Sequence, residues 1–510
     1  MSAETFSPGG DMADVLLTHS YHLARDAKQF RKMQPYPPLG TLYAATALQS
    51  AGMSVAVHDT MFAEPISGFR AALEEHRPKI VVIYEDDFNF VTKMCLTHMR
   101  ELASELAAIA RSAGITVIAH GSDATDHPRD YLDNGVDFIL NGEVEQSLVD
   151  LCDALLHSRR LPAIPGLVHY SAANGGLESP LPAPTNPSWA TLPRPARELI
   201  DLEPYRRAWI EAHGYFSTNV VSSRGCPYHC NWCAKPISGN RFQLRAPEEV
   251  AAEIHELKSL FGAEHIWFGD DVFALDRHWV QEFANAVESH GEVVPFKIQS
   301  RADLMSDATV TALKRAGCAE IWMGVESGSQ KILDAMKKGL KLSAVYAARE
   351  RLATAGIRAC YFLQFGYLGE GWAEICETVQ LVRRTRPDDI GVSISYPLPG
   401  TGFFERVQTQ LGRKRNWIDS DDLCTIHIAS YNDTFYHALR DALHAEVAAS
   451  HAPSGSSDPS TCETLWSRVY EMEPACRNRN VLSLPPETAH RSAQSTFLPL
   501  EGLFAGARRS

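Results

Sequence analysis

Cys226, Cys230 and Cys233 stand in the stretch Ser223-Arg224-Gly225-Cys226-Pro227-Tyr228-His229-Cys230-Asn231-Trp232-Cys233, separated by three and then two residues. One loop with this spacing can turn three thiols toward a common point, and gathered thiolates suit a soft metal or an iron-sulfur cluster. A closed zinc site takes four protein ligands, and no fourth Cys or second His follows at finger-like spacing here. Three cysteines on a 4Fe-4S cluster would leave one iron open to a substrate or cofactor. A zinc knuckle and a set of buried thiols are the plainer readings of the same residues.

Such a loop needs elements to hold it, and 510 residues provide for two or three domains. The net charge of -14 argues against a nucleic-acid or anionic-membrane partner, which would call for a basic face. A small-molecule or carrier-bound substrate is the better expectation. No apolar run has the length of a membrane span, and Met1 to Met12 lacks the features of a signal peptide, so a cytoplasmic protein is expected. Eleven scattered cysteines, an odd number without a disulfide framework, fit a reducing compartment. Cys462 and Cys476 lack companions for a second cluster and read as free thiols.

Before the cysteine loop, short apolar runs alternate with amphipathic stretches, the pattern of a parallel sheet covered by helices. Strands are predicted at Asp14 to Thr18, Ser54 to His58, Ile80 to Tyr84, Ile115 to His120 and Val136 to Leu140. Helices are predicted at Leu39 to Ala51, Gly68 to His76, Thr92 to Ser112 and Val144 to His157. Five strands with these crossovers imply a doubly wound, flavodoxin-like domain with its ligand at the strands' carboxyl ends. His19 and His22 follow the first strand without a flanking motif and read as surface histidines. Residues 161 to 197 are rich in proline and read as a connector, with Gly166 to Tyr170 adding a short strand.

From Asn219 onward strand and helix alternate again. Strands are predicted at Asn219 to Ser223, His265 to Phe268, Phe296 to Ser300, Glu320 to Gly324, Cys360 to Phe365 and Gly391 to Tyr396. Gly269-Asp270-Asp271, Arg301 and Gly324-Val325-Glu326-Ser327-Gly328 fall at successive strand ends, where the active residues of parallel barrels gather. Each has an ordinary alternative: Asp270 as a helix cap, Arg301 in a surface ion pair, Glu326 paired with a lysine such as Lys338. Beyond the barrel, Tyr431 to Ser450 reads as an amphipathic helix with Phe435, Leu439, Leu443 and Val447 on one face. His451 to Thr461 reads as flexible and Glu463 to Met472 as one more short helix.

The cysteine loop, with Trp232 directly before the third Cys, resembles the cluster motif of the radical S-adenosylmethionine (radical SAM) family, and the loop and the three strand-end motifs occur in that family's order. The resemblance implies a partial (β/α)6 barrel with a 4Fe-4S cluster on Cys226, Cys230 and Cys233. It further implies S-adenosylmethionine (SAM) held through its ammonium group by Gly269, Asp270 and Asp271, its carboxylate by Arg301 and its ribose by Glu326 and Ser327. The start Pro37-Pro38-Leu39-Gly40-Thr41-Leu42-Tyr43, with Gly121-Ser122 and Gly142-Glu143 after the fourth and fifth strands, resembles the cobalamin-binding domain that precedes many radical SAM domains. Two departures stand out. The Asp-x-His-x-x-Gly motif that supplies a lower histidine ligand is absent, so cobalamin is expected to bind with neither a protein imidazole nor its own base on the lower face. Glu85-Asp86-Asp87 is acidic where the nucleotide tail usually meets small hydroxyl residues.

The expected division is a cobalamin-binding-like domain over 10–160, a linker over 161–212, a radical SAM domain over 213–412 and a C-terminal helical region over 413–510. The resemblance implies a cobalamin-dependent methyltransferase acting on an unactivated carbon, with an electron donor such as flavodoxin or ferredoxin. A radical oxidative cyclase shares this domain order and is the alternative. A methylthiotransferase is disfavoured, because only Cys95 and Cys152 precede the linker. A cobalamin or iron-sulfur sensor is more distant, since the SAM motifs are all present.

Overall fold

The computed structural model describes residues 12–171, 175–184, 193–291, 293–412, 414, 416–451, 459–479, 481–482 and 484. Strands β1 (Val15–Thr18), β2 (Val55–His58), β3 (Ile80–Tyr84), β4 (Thr116–His120) and β5 (Phe138–Leu140) run parallel in the order β2-β1-β3-β4-β5. This is one of the doubly wound orders. Side chains alternate between the faces of a strand, and β1 shows what each face meets. Val15 and Leu17 join Ala44, Leu48, Leu148 and Leu151 of the helices Leu39–Ser50 and Glu145–Leu156. Leu16 joins Phe69, Leu102 and Leu106 of the helices Pro65–His76 and Thr97–Ser112. Helices on both faces explain why the central strands read as continuous apolar runs.

The sheet has seven strands, not five. β6 (Leu167–Tyr170) and β7 (Leu177–Glu178) extend it antiparallel beyond β5, so the proline-rich stretch folds back onto the domain it leaves. Proline is tolerated beside an edge where it would break a central strand. The connector also forms the helix Glu203–His213, whose Tyr205 and Trp209 are wholly buried. Trp209 Nε1 donates to Pro35 O at 2.7 Å, fixing this helix to the first half of the chain. His19, expected at the surface, is 2% exposed: its Nε2 lies 2.9 Å from Asp59 Oδ1 and its Nδ1 3.1 Å from Thr60 Oγ1.

The second sheet contains β8 (Ser217–Val220), β11 (His265–Phe268), β12 (Phe296–Ser300), β13 (Cys318–Glu326), β14 (Arg358–Phe365) and β15 (Asp389–Ile394), all parallel and in chain order. Each strand lies beside its predecessor, as in an incomplete parallel barrel, and β8 and β15 remain apart. The expected first strand breaks after Val220. Its end becomes β9 (Ser223–Arg224), which pairs antiparallel with β10 (Gln243–Leu244), so that this small clasp closes the cysteine loop at its base.

In the helix Asp433–His451, Phe435, Leu439, Leu443 and Val447 are all buried. The segment before it returns to the first sheet's side: Thr97 N donates to Trp417 O at 2.9 Å, Arg100 Nη2 to Asn416 Oδ1 at 3.0 Å and Ser420 Oγ to Asp26 Oδ1 at 2.7 Å. It is a strap across the two halves. Of the stretch expected to be flexible, residues 452–458 lie outside the described residues, as do residues 10 and 11, 185–192 and 485–510 of the expected domains. No described helix is long and apolar enough to cross a membrane.

Candidate active site

The carboxyl ends of both parallel sheets face one cavity of about 1500 Å³. From the first sheet come Tyr21 after β1, Asp87 to Phe90 after β3, and Ser122 and Asp126 after β4. From the second come the cysteine loop, Gly269 and Asp271 after β11, Arg301 after β12, and Gly324 and Glu326 at the end of β13. Cys226, Cys230 and Cys233 all line this space and are half-buried.

Several residues fix the loop. Gly225 has φ +84°, and a Cβ there would run into Arg241 O, so this turn into Cys226 admits only glycine. Lys235 Nζ donates to the carbonyls of Cys226 and Tyr228 and to Asn240 Oδ1, drawing the loop around its ammonium. Asn231 uses all four of its polar groups: its N and Nδ2 donate to Met336 O and Ala335 O, its O accepts from Phe403 N and its Oδ1 from Tyr367 OH. Trp232 lies against the apolar cluster of Ile332, Met336, Tyr367 and Phe403 and also borders the cavity. Burial raises the Cys226 thiol above its ordinary range and pushes Cys233 up to about 12, with Lys235 opposing both shifts. Among the described residues no three His, Cys, Asp or Glu side chains are placed to hold a single metal ion. A cluster places each thiolate on a different iron, which spaces its ligands more widely than one ion does.

The strand-end motifs divide into two groups. Glu326, a non-glycine residue at φ +64°, borders the cavity where the β13 and β14 register shifts. Such a backbone costs about 1–3 kcal/mol and clusters at functional sites. Its Oε1 accepts from Lys338 Nζ at 2.8 Å, both side chains being buried, and both line the cavity. Asp271 also lines it and pairs with Lys93 of the first half at 2.6 Å.

Three expected contacts point elsewhere. Asp270 is buried beneath the loop, where its carboxylate accepts from Ser222 N at 3.0 Å, Ser222 Oγ at 2.6 Å and Ser223 Oγ. It anchors the strand that leads into the cysteines and does not border the cavity. Ser327 Oγ accepts from Ser329 N and lies 3.2 Å from Thr378 Oγ1, ordering the turn after β13. Arg301 does reach the cavity, but its Nε and Nη2 both donate to Asp303 at 3.0 Å, Nη2 also reaches Lys338 O, and its Cζ lies 3.7 Å from the centroid of the Tyr228 ring. Two of the three guanidinium nitrogens expected to clamp a carboxylate are already engaged.

Arg224, directly before the loop, carries a connection that the sequence did not reveal. Its Nη2 lies 2.6 Å from Glu145 Oε1 and 3.6 Å from Asp87 Oδ2, with the guanidinium over Phe88. The acidic loop after β3 thus has internal work. Asp87 faces Arg224, Asp86 Oδ1 accepts from Gly40 N and Phe88 N, and Glu85 Oε1 accepts from Ser20 N. Burial pushes Glu85 up to about 7 and Asp86 up to about 6.

The expected cobalamin positions fit in part. Ser122 faces the cavity, and the buried Ser20 Oγ, Glu85 Oε2, Asp86 Oδ2 and His120 Nε2 around the ends of β1, β3 and β4 have no partner among the described residues. Such atoms suit a ligand rich in amide groups, but of these residues only Ser122 lines the cavity. Gly121, Gly142 and Glu143 do not line the cavity: a Cβ on Gly121 would meet Glu85 at 2.8 Å and one on Gly142 would meet Pro184 O at 2.8 Å. Glu85 and the folded-back connector occupy those positions.

Residues 220–382 match the Radical SAM superfamily, spanning β11 to β14, the cysteine loop and Glu326. The chain carries a radical SAM domain. A radical SAM domain uses a 4Fe-4S cluster and SAM, and the protein is an enzyme of this kind. It is 26% identical over 388 residues to an uncharacterized methyltransferase of Pyrococcus horikoshii, covering 75% of this chain and 81% of the relative. It is 25% identical over 381 residues to the hopanoid C-3 methylase of Methylococcus capsulatus, covering 73% and 69%. The fold is similar to that of TsrM, a radical S-adenosylmethionine methyltransferase from Kitasatospora setae whose structure has cobalamin and a 4Fe-4S cluster bound. The TM-score is 0.64 at 18% identity, over 78% of this chain and 75% of TsrM. In this chain β1 to β5 of the first sheet and all six strands of the second are parallel.

Proposed function

We propose that this radical SAM enzyme transfers a methyl group to an unactivated carbon of a small molecule, with cobalamin as methyl carrier. The observation that carries the reading is the cavity into which two sheets turn the carboxyl ends of their parallel strands, one bearing three cysteines and the other Tyr21, Ser122, Asp126 and the loop from Asp87 to Phe90. The names of the Pyrococcus and Methylococcus relatives and of TsrM support the same reaction class. When bound, a 4Fe-4S cluster would supply the electron that splits SAM to a 5'-deoxyadenosyl radical, and cobalamin the methyl group for the carbon from which that radical takes hydrogen.

The chain's own residues bind, orient and exclude water. Cys226, Cys230 and Cys233 would hold the cluster, in a loop shaped by Lys235, Asn231 and the Tyr228–Arg301 stack. Glu326, kept in place by Lys338, would accept from the SAM ribose hydroxyls, and Gly269 with Asp271 would receive the ammonium group. Ser122 and the loop from Asp87 to Phe90 would border cobalamin, with His19 committed to Asp59 and Thr60. Trp417 and the strap behind it cover one side of the cavity and restrict water. The domain division drawn from the sequence, a cytoplasmic setting and a flavodoxin or ferredoxin as electron donor complete the proposal.

Anaerobic turnover with cell extract and methyl-deuterated SAM tests it. A product heavier by one labelled methyl group is expected. A product that has lost hydrogen without gaining label would replace this reading with the oxidative cyclase.

A further inference from the structure

The cavity continues from the cysteine loop down the inside of the second sheet. Parallel barrels fill this space with layers of branched apolar side chains. Here the inward positions include Trp267 on β11, Lys297 and Gln299 on β12, Glu320 and Trp322 on β13 and Phe362 on β14, and the space between them is open. Trp322 and Phe362 lie with ring centroids 4.9 Å apart at 30°. Gly391 on β15 leaves room for them, since a Cβ there would stand 3.1 Å from Phe362 Cδ1 and 3.5 Å from Trp322 Cζ3. Tyr36 and Trp267, 4.6 Å apart, add a second ring pair.

The charges in this wall do not balance. Lys297 and Glu320 are register partners on neighbouring strands, yet Glu320 turns away: its Oε2 lies 3.2 Å from Arg358 Nη1 and its Oε1 accepts from Trp322 Nε1 at 2.7 Å. Lys297 Nζ is left with a 3.4 Å contact to Gln34 Oε1 and the faces of Tyr36 and Trp209 at 5.5 and 5.9 Å. Among the described residues no carboxylate lies within 4.0 Å of it. Glu320 thus serves Arg358 and leaves Lys297 without a contacting carboxylate. Burial lowers the Lys297 pKa below the ordinary lysine range, as expected of an ammonium short of counter-charge. His265 adds no positive charge, since burial pushes it down to about 3.

We infer that the hollow interior binds a planar aromatic oxyanion whose acidic group pairs with Lys297 and whose ring lies against Trp322 and Phe362. The inference deepens the methyltransferase reading and rests on it, since the ligand's far end would reach toward the cysteine loop through the same cavity.

Anaerobically reconstituted enzyme is titrated with 2-naphthoate and with its neutral isostere 2-naphthamide, following tryptophan fluorescence. The naphthoate should bind about tenfold to a hundredfold more tightly, as a charge-assisted contact predicts. Lys297→Met should abolish that preference and Lys297→Arg retain it, with melting temperatures measured on both. Equal binding of the two probes, no binding of the naphthoate, or a preference that survives in Lys297→Met each overturns the inference. Should Lys297→Met fail to fold, the wild-type preference and its retention in Lys297→Arg decide. Iron and sulfide are counted on the same samples. Loss of iron with the preference intact would defeat the cluster assignment and leave this site standing.

Discussion

Arg224→Met removes the cation from a buried group that joins the first sheet to the base of the cysteine loop. Arg224, Glu145 and Asp87 are each only 2–3% exposed in their side chains, and the tighter pair is 2.6 Å long, so water screens little of the interaction. Methionine keeps much of the apolar contact with Phe88 but removes the cation from beside two buried carboxylates. Removing one member of a buried pair costs about 3–5 kcal/mol. At roughly 2–4 °C per kcal/mol for a unit of this size, the thermal midpoint should fall by about 6–20 °C. Calorimetry of the anaerobic protein reads this, and iron content should fall with it because Cys226 is two residues away. The double variant Arg224→Met/Glu145→Leu removes one of the stranded charges and should recover part of the loss, since replacing a buried pair by apolar groups is often nearly neutral. An unchanged midpoint in Arg224→Met, or a double variant less stable than the single, would refute the reasoning.

Asp270→Asn should leave SAM affinity unchanged by calorimetric titration while lowering iron content, because its carboxylate serves Ser222 and Ser223. Asp271→Asn should do the reverse. Glu326→Gln should raise the SAM dissociation constant about tenfold to a hundredfold in the same titration, as the loss of one charged hydrogen bond predicts. Glu370 is buried after β14 and pushed up to about 8. Its folded pKa lies above the ordinary glutamate value, so its contribution to stability is complete below about pH 4.5 and is lost as pH rises toward 8. Glu370→Gln should flatten the fall in melting temperature across that window. Bound cob(II)alamin should show no nitrogen splitting by electron paramagnetic resonance, and His19→Ala should leave that spectrum unchanged, because both His19 ring nitrogens are already engaged.

Much of the scaffold was legible because its strands carry period-two or continuous apolar runs. β3, β11 and β12 fall on the predicted residues. The folding back of the connector was not legible, because proline density excludes helix without telling an edge strand from an extended linker. At the site, residue type suggested chemistry and side-chain direction decided it. Asp270 and Asp271 are adjacent and both acidic, yet one turns under the loop and the other into the cavity. Glu326 with Lys338 was readable as an ion pair, whereas its left-handed backbone was not. Lys235, Asn231 and Arg224 act through backbone carbonyls or partners distant in sequence, and no local pattern marks them. Lys297 stands out only once the strands are aligned and Glu320 is seen to face Arg358.

Iron and sulfide counting after anaerobic reconstitution, on the wild type and on a variant with Cys226, Cys230 and Cys233 all replaced by Ala, tests the central claim most directly. The wild type should hold one 4Fe-4S cluster per chain and release 5'-deoxyadenosine from SAM, and the variant, folded by circular dichroism, should hold none and release none. A variant that keeps its iron and sulfide, or a fully loaded wild type that leaves SAM intact, would contradict the account.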